Sequence, residues 1–512
     1  MLLPLVHPTR LARRSGFGIA IVVAAACGCG PGHRLDSGTL RDASSDTSAP
    51  RPHDGATDGG TDGGRDGGEP ARGLPDVIHA SGELPDLNPA PQVTEVNLVA
   101  REEAFEFTDG VFLDRMAYNG VLPGPMLHVW VGDEVLVHFK NELDQPTTVH
   151  WHGMRVPNDM DGSPHVQSPV EPGGTYDYHF TVPDAGTYWF HPHVRSFEQV
   201  ERGLYGVVVV HDPREPRYDA DRVLMLDDIL LDENTFEMPP FLATTQEVEY
   251  GRLGNILLTN GAPSEGSTAV AKRGQVERWR LVNAANARTM ELDIVGASYR
   301  IIGTDGGPLE TPFTTDEMLL SPGQRLDVEV SFDTPGDAKL VSYRLVQEPP
   351  MPPMRVPTTV HAVHVAASAE APPVVPWPSF PERDLGEVDE DVTFTLSAIF
   401  DPETGIHWTI NGLSHPMDPL FTFAKGTTVH MTVVNNLGYE HPFHMHGEFF
   451  RVIPEGNPWT AVPGLHDTVL VPGNHTVEVI AKLDNPGRWM VHCHILEHAE
   501  RGMMSDILVT DP

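Results

Sequence analysis

Three stretches of the chain share one outline: GDEVLVHFKN (Gly132–Asn141), GQVERWRLVN (Gly274–Asn283) and GTTVHMTVVN (Gly426–Asn435). Each opens on glycine and closes on asparagine nine positions later. The punctuation around them recurs as well. Asn-Gly precedes each copy, at Asn119-Gly120, Asn260-Gly261 and Asn411-Gly412. Pro-Gly follows at Pro172, Pro322 and Pro472, and a further glycine at Gly186, Gly336 and Gly487. Between these turn signals lie short apolar alternations of period two, such as EVLVHF, GVVVVH and VEVSF, the signature of half-buried strands. No long amphipathic helix interrupts them. The pattern predicts an all-β chain built from three copies of one β-sandwich unit.

The units span about 93–212, 217–367 and 385–512, and the proline-rich EAPPVVPWPSFPERD (Glu370–Asp384) is the clearest linker. A length of 512 residues agrees with about three domains. Ahead of the units, RLARRSGFGIAIVVAAACGCG (Arg10–Gly30) reads as an export signal within residues 1–29. Its apolar run, Gly16 to Ala26, is too short to span a bilayer as a helix. Three alanines before Cys27 resemble a lipobox, and Arg13-Arg14 loosely resembles a twin-arginine signal; plain cleavage by the ordinary signal peptidase is the alternative. Residues 30–76, which include TDGGTDGGRDGG (Thr57–Gly68), lack the apolar content to repay their ordering entropy and read as a disordered tether. The expectation is a monomer in the periplasm or cell envelope, in contact with the membrane only through a lipid anchor at Cys27. A formal net charge of -38 argues against nucleic acid as a partner.

The copies differ where chemistry would sit. Nine residues after Asn141 comes HWHG (His150–Gly153), and nine after Asn435 comes HMHG (His444–Gly447). HPH (His191–His193) and HCH (His492–His494) stand five residues after Gly186 and Gly487. At the corresponding places the middle unit has LDIV near Leu292 and VSY near Val341. Random placement of 26 histidines predicts roughly one His-x-His triplet, yet four occur, all at equivalent points of the repeat. Accident is therefore a poor account. In a strand, residues i and i+2 share a face, so each triplet presents two imidazoles to one side. Eight imidazoles exceed what one metal ion takes, which implies a cluster between units one and three, with the metal-free unit two as a spacer. The sequence offers no other reason for the outer units to meet.

HCHILEHAERGMM (His492–Met504) adds a second centre. Cys493 is the lone thiol of the folded body, so no internal disulfide forms there. In an extended HCH its sulfur points away from the flanking imidazoles and can serve a different metal. With His441 from HPFHMHG, His498 and a weak axial Met503, it gives the His₂Cys-plus-methionine set of a blue-copper electron-transfer site; Met504 is the other axial candidate.

Together, HWHG, HPH, HPFHMHG and HCHILEHAERGMM resemble the multicopper oxidases, in particular three-domain laccase-like members built of Greek-key cupredoxin sandwiches, over roughly 93–512. The resemblance implies four copper ions per chain. His441, Cys493, His498 and Met503 match the type 1 ligands, and His150 and His444 the type 2 pair. His152, His191, His193, His446, His492 and His494 match the six type 3 ligands. It further implies four one-electron oxidations of a small reducing substrate coupled to reduction of O₂ to water. Asp161, in VPNDMDG, matches a cluster-side carboxylate and is the candidate for proton delivery; locally it reads equally well as a turn aspartate before Gly162. Some bacterial relatives place a glutamate after the last type 1 histidine, where this chain has Ala499. Either Glu500 or another carboxylate substitutes for it, or the proton relay differs.

Electron intake is expected near an exposed edge of His498 or His441, with EPPMPPMRVP (Glu348–Pro357) and GNPWTAVPGLHD (Gly456–Asp467) as rims. Phenols and aromatic amines are the default donors. The alternatives are Cu⁺, Mn²⁺ or Fe²⁺ as substrate, a non-enzymatic copper-binding or assembly protein, and a copper nitrite reductase, a family without the type 3 pair or the HCH bridge.

Overall fold

A computed structural model of the chain describes residues 74–346, 354–416, 418–454 and 462–511. The export segment with Cys27 and Cys29, the tether up to residue 73, and residues 348–353 and 456–461 of the two rim loops lie outside the described residues. Strands account for nearly all regular structure. They gather into six sheets, two for each third of the body. Strands from Val93–Thr108 to Gly206–His211 make two four-stranded sheets. Those from Ala220–Ile229 to Met354–Ala366 make a seven- and a five-stranded sheet, and those from Glu390–Asp401 to Met504–Thr510 make two five-stranded sheets. Each pair encloses an apolar core, centred on Trp151 and Phe190 in the first, Trp279 and Leu292 in the second, and Phe394 and Trp489 in the third. The chain is all-β, with three cupredoxin-like β-sandwiches.

The physical basis of the repeat lies in its asparagines. Asn119, Asn260 and Asn411 have φ of 52°, 52° and 53°, a left-handed conformation that asparagine tolerates better than most residues. Each Oδ1 accepts from a strand amide (Val99, Met225, Thr395), and each Nδ2 donates to the carbonyl two residues earlier (Asn97, Val223, Thr393). The closing asparagines repeat a second device. Asn141, Asn283 and Asn435 donate to the carbonyls of Val170, Leu320 and Val471, and accept from the amides of Leu143, Ala285 and Leu437.

Two features lie beyond the repeat. Residues ahead of Val93 run across the body: Ile78 bridges to Arg222 of the second sandwich and Glu83 to Met126 of the first. The first and third sandwiches also touch directly, through Asn158 Nδ2 donating to the Arg488 carbonyl at 2.7 Å and His165 Nδ1 to Asp506 at 2.8 Å. Protein contacts as well as ligand placement thus hold the outer units face to face. In the middle sandwich the strand Met290–Val295 fills the position of the His-x-His strands. There Leu292 and Ile294 pack in the core beside Leu340, so the interior is sealed with hydrocarbon where the outer copies present imidazoles.

Candidate metal centre

Strand alternation does the first sorting. His492 and Cys493 are neighbours on the strand Gly487–Cys493, and their side chains go opposite ways. The sulfur enters the core of the third sandwich, with Sγ 3.5 Å from His441 Nδ1 and 3.7 Å from His498 Nδ1, while those two nitrogens are 3.1 Å apart. Met503 is wholly buried in the same core; Met504 is half-buried at the start of the last strand.

His492 turns to the junction of the first and third sandwiches, where the eight imidazoles of the four triplets converge. His150 stacks on His446 and His152 on His444, both at 3.9 Å between ring centres. His193 lies 5.2 Å from His492, and His191 5.5 Å from His494. Strand register sets this: His150 pairs with His191 in one sheet, and His444 with His492 in the other. Donor atoms of several trios fall within 4.8 Å of one another, including His150, His444 and His446; His193, His446 and His492; and, separately, His441, Cys493 and His498.

Hydrogen bonds on the outer nitrogens fix which inner nitrogen is left to bind. His150 Nδ1 donates to the Asp161 carbonyl at 2.8 Å and His444 Nδ1 to the Asp467 carbonyl at 2.9 Å. The two side-chain carboxylates then cross the junction. Asp161 accepts from His446 Nδ1 at 2.9 Å, and Asp467 from His152 Nε2 at 3.1 Å. His446 therefore offers Nε2 inward, whereas His152 offers Nδ1. The buried Nε2 atoms of His150, His193 and His444, and both ring nitrogens of His494, have no protein partner. Buried nitrogens left this way are costly unless something fills the space between them, and a metal cluster does so.

Electrostatics agree. Burial, reinforced by neighbouring rings, holds His152, His191, His193, His446 and His494 well below the ordinary imidazole pKa and His492 at about 3. Burial alone takes His441 to about 3. The rings are neutral, as ligands must be. Burial pushes the Cys493 thiol well up, so its thiolate needs a cation beside it. Soft sulfur with two imidazoles in one place, and eight imidazoles in the other, are donor sets that suit copper.

The sequence reading missed several contributors. Asp467 is clasped by Arg325 of the middle sandwich, with Nη1 to Oδ1 at 2.8 Å and Nη2 to Oδ2 at 2.6 Å. Gly323, on the same turn, packs so closely that an added Cβ would meet His494 at 2.8 Å and His152 at 3.0 Å. The middle sandwich also covers the sulfur centre. The short helix Thr245–Tyr250 lies over it, with the Glu249 carbonyl accepting from His498 Nε2 at 3.2 Å and the Val248 carbonyl from Trp408 Nε1 at 2.9 Å. The middle sandwich thus lines both centres. Its Pro-Gly turn was legible; the partners of that turn, more than 140 residues away, were not.

One expectation fails. Neither His498 nor His441 has an exposed edge; both are 0% exposed, because the Thr245–Tyr250 helix and Trp408 close over them. Ala499 is buried. Among the described residues Asp161 and Asp467 are the carboxylates that contact cluster imidazoles, and Glu500 is not one of them.

Comparison with known proteins follows the same lines. Sequence profiles described as "Multicopper oxidase" match residues 100–215, 232–364 and 390–512. The multicopper oxidase MmcO of Mycobacterium tuberculosis is 31% identical over 438 residues, covering 77% of this chain and 83% of that protein. Laccase-2 of Botryotinia fuckeliana is 27% identical, with 82% of each chain covered. Among solved structures, a multi-copper oxidase from Pseudomonas thermotolerans superposes with a TM-score of 0.71 at 33% identity, covering 82% of this chain and 99% of that one. A multicopper oxidase from Campylobacter jejuni, described as a metallo-oxidase, gives 0.75 at 28% identity, covering 85% and 96%.

Proposed function

Because this chain belongs to the multicopper oxidase family, and is a copper-dependent oxidase that couples four one-electron oxidations of a reducing substrate to reduction of O₂ to water, we propose the residues and donor that serve that reaction. His441, Cys493 and His498, with Met503, would hold the type 1 ion; the burial of Met503 beside Cys493, whose amide donates to the Met503 carbonyl, favours it over Met504. His150 and His444 hold the type 2 ion. His152, His191, His193, His446, His492 and His494 hold the type 3 pair, giving four ions per chain. Bound copper supplies reversible one-electron chemistry at the sulfur centre and reduction of O₂ at the cluster.

The observation that carries this reading is the opposed facing of Cys493 and its neighbours. Its sulfur lies among His441 and His498 while its peptide bonds lead directly to His492 and His494 in the cluster. An electron received at the sulfur has a short covalent route inward. Asp161, buried with its carboxylate on His446 Nδ1, is the group that holds and releases protons beside the cluster. Cys493→Ser is expected to abolish donor oxidation while the cluster still takes up copper, measured by O₂ uptake and metal content. Equal loss of cluster copper would overturn the two-centre assignment.

Phenols and aromatic amines are the proposed donors. A metal-ion donor (Cu⁺, Mn²⁺ or Fe²⁺) is the second reading, favoured by the 72 carboxylates and by the metallo-oxidase description of the Campylobacter neighbour. Steady-state O₂ uptake with each donor class decides between them. The protein acts as an exported protein anchored at Cys27, a reading that rests on the basic, apolar and small-residue order of residues 10–30.

A further inference from the structure

All four residues of the sulfur centre are fully buried, so a donor at the surface must pass its electron through at least one intervening residue. Two connections lead outward, and both end on Tyr250, which is 44% exposed. The first is bonded: His498 Nε2 donates to the Glu249 carbonyl, and that carbonyl belongs to the peptide joining Glu249 to Tyr250. The second runs through rings. Tyr250 meets Tyr439 edge-on at 5.0 Å. Tyr439 lies 6.4 Å from His441 and 6.2 Å from Trp408, and Trp408 lies 4.2 Å from His498. Tyr250 comes from the middle sandwich and Tyr439 from the third, so the ring pair exists only because the two are packed together.

The surroundings select a ligand. Glu249, next to Tyr250 in the chain, adds a half-buried carboxylate. Exposed Glu440, the residue after Tyr439, lines a cavity of about 920 Å³ that also includes Phe313, Met318 and Leu470. The cavity's Arg355 is already paired with Glu291 and Glu317, so stacking rings, the remaining carboxylates and a partly apolar hollow favour a flat, neutral or cationic aromatic molecule over an anion.

We propose that Tyr250 and Tyr439 form the face on which an aromatic amine or phenol docks, and the bridge over which its electron reaches the buried centre of His441, Cys493 and His498. The proposal rests on the reading of that centre given above. In each event the donor loses one electron and releases its N–H or O–H proton to solvent, and the centre gains the electron. Both tyrosines keep their electrons and protons throughout, and O₂ is the final acceptor.

The test uses the copper-loaded protein and its Tyr250→Leu, Tyr439→Leu and Tyr250→Trp variants. Binding of benzylammonium, a cation not oxidised here, is followed by calorimetry, and O₂ uptake is measured with p-phenylenediamine and with ferrocyanide. Visible absorption from the Cys493 centre reports whether each variant remains intact. Either leucine variant is expected to weaken benzylammonium binding and raise the KM for p-phenylenediamine by about three- to tenfold. Ferrocyanide, which has no ring to stack, loses less, and Tyr250→Trp restores binding. Unchanged benzylammonium affinity in both leucine variants, or equal losses for the two donors, overturns the proposal. If the wild-type protein binds benzylammonium through Tyr250 but consumes no O₂ with any donor, the docking face stands and the functional reading fails.

Discussion

Asp161 and Asp467 occupy mirror positions across the cluster. Each uses its backbone carbonyl to fix the first histidine of its own sandwich, His150 or His444, and sends its carboxylate across to the second histidine of the other, His446 or His152. What stands behind each carboxylate differs. Asp467 is held on both oxygens by Arg325 and also accepts from Thr468 Oγ1, whereas no guanidinium pairs with Asp161 among the described residues. Burial works to raise the Asp467 pKa, yet Arg325 and His152 hold it well below the carboxylate range. One aspartate is a clamped anion that orients His152. Its counterpart has no such clamp among the described residues. Two positions alike in backbone role thus diverge because the middle sandwich reaches only one of them.

The largest effect is expected from removing that reach. Arg325→Met leaves Asp467 charged, buried and unpaired, at a cost of about 3–5 kcal/mol. Thermal melting should show the loss, and metal analysis should show copper missing from the cluster. A variant that melts and loads normally would break the contrast. Asp161→Asn should retain its copper and slow O₂ reduction by about 10²-fold, the low end for a lost acid–base group. Stopped-flow traces in which reduction of the Cys493 centre slows equally would remove Asp161 from proton delivery. Gly323→Ala places a methyl against His494 and His152 on a backbone with φ of +87°. The cost is about 1–3 kcal/mol, with an altered EPR signal from the cluster and little change at the sulfur centre. The smallest effect sharpens the comparison at the seam between the halves. Asn158→Ala removes the bond to the Arg488 carbonyl, and denaturant unfolding should register about 1 kcal/mol with copper content unchanged.

The lesson about legibility follows from the same residues. The repeat asparagines could be read because their work is local: Asn141 braces Leu143, and Asn283 braces Ala285, two positions along the chain. The shared facing of the imidazoles could be read because strand alternation carries it in the spacing of each triplet. Asp161 was found only through resemblance, since VPNDMDG also describes an ordinary turn. Asp467 was read only as the end of a rim stretch, and Arg325 was missed altogether, as were the Thr245–Tyr250 helix and its hold on His498. Nothing in LHDTVLV or SPGQR announces a metal neighbour; their meaning comes from contact between different sandwiches.

By itself, then, the sequence determined that the chain forms three β-sandwiches, that the outer two carry four His-x-His pairs, and that Cys493 faces away from the histidines beside it. These follow from period-two geometry and turn chemistry, which act over a few residues. Tertiary structure alone decided which nitrogens His150, His152, His444 and His446 present, that Asp467 is held as an anion, and that the sulfur centre is sealed from solvent beneath the Thr245–Tyr250 helix and Trp408. Such outcomes depend on desolvation and on partners brought together from distant parts of the chain, and neither is written in local spacing.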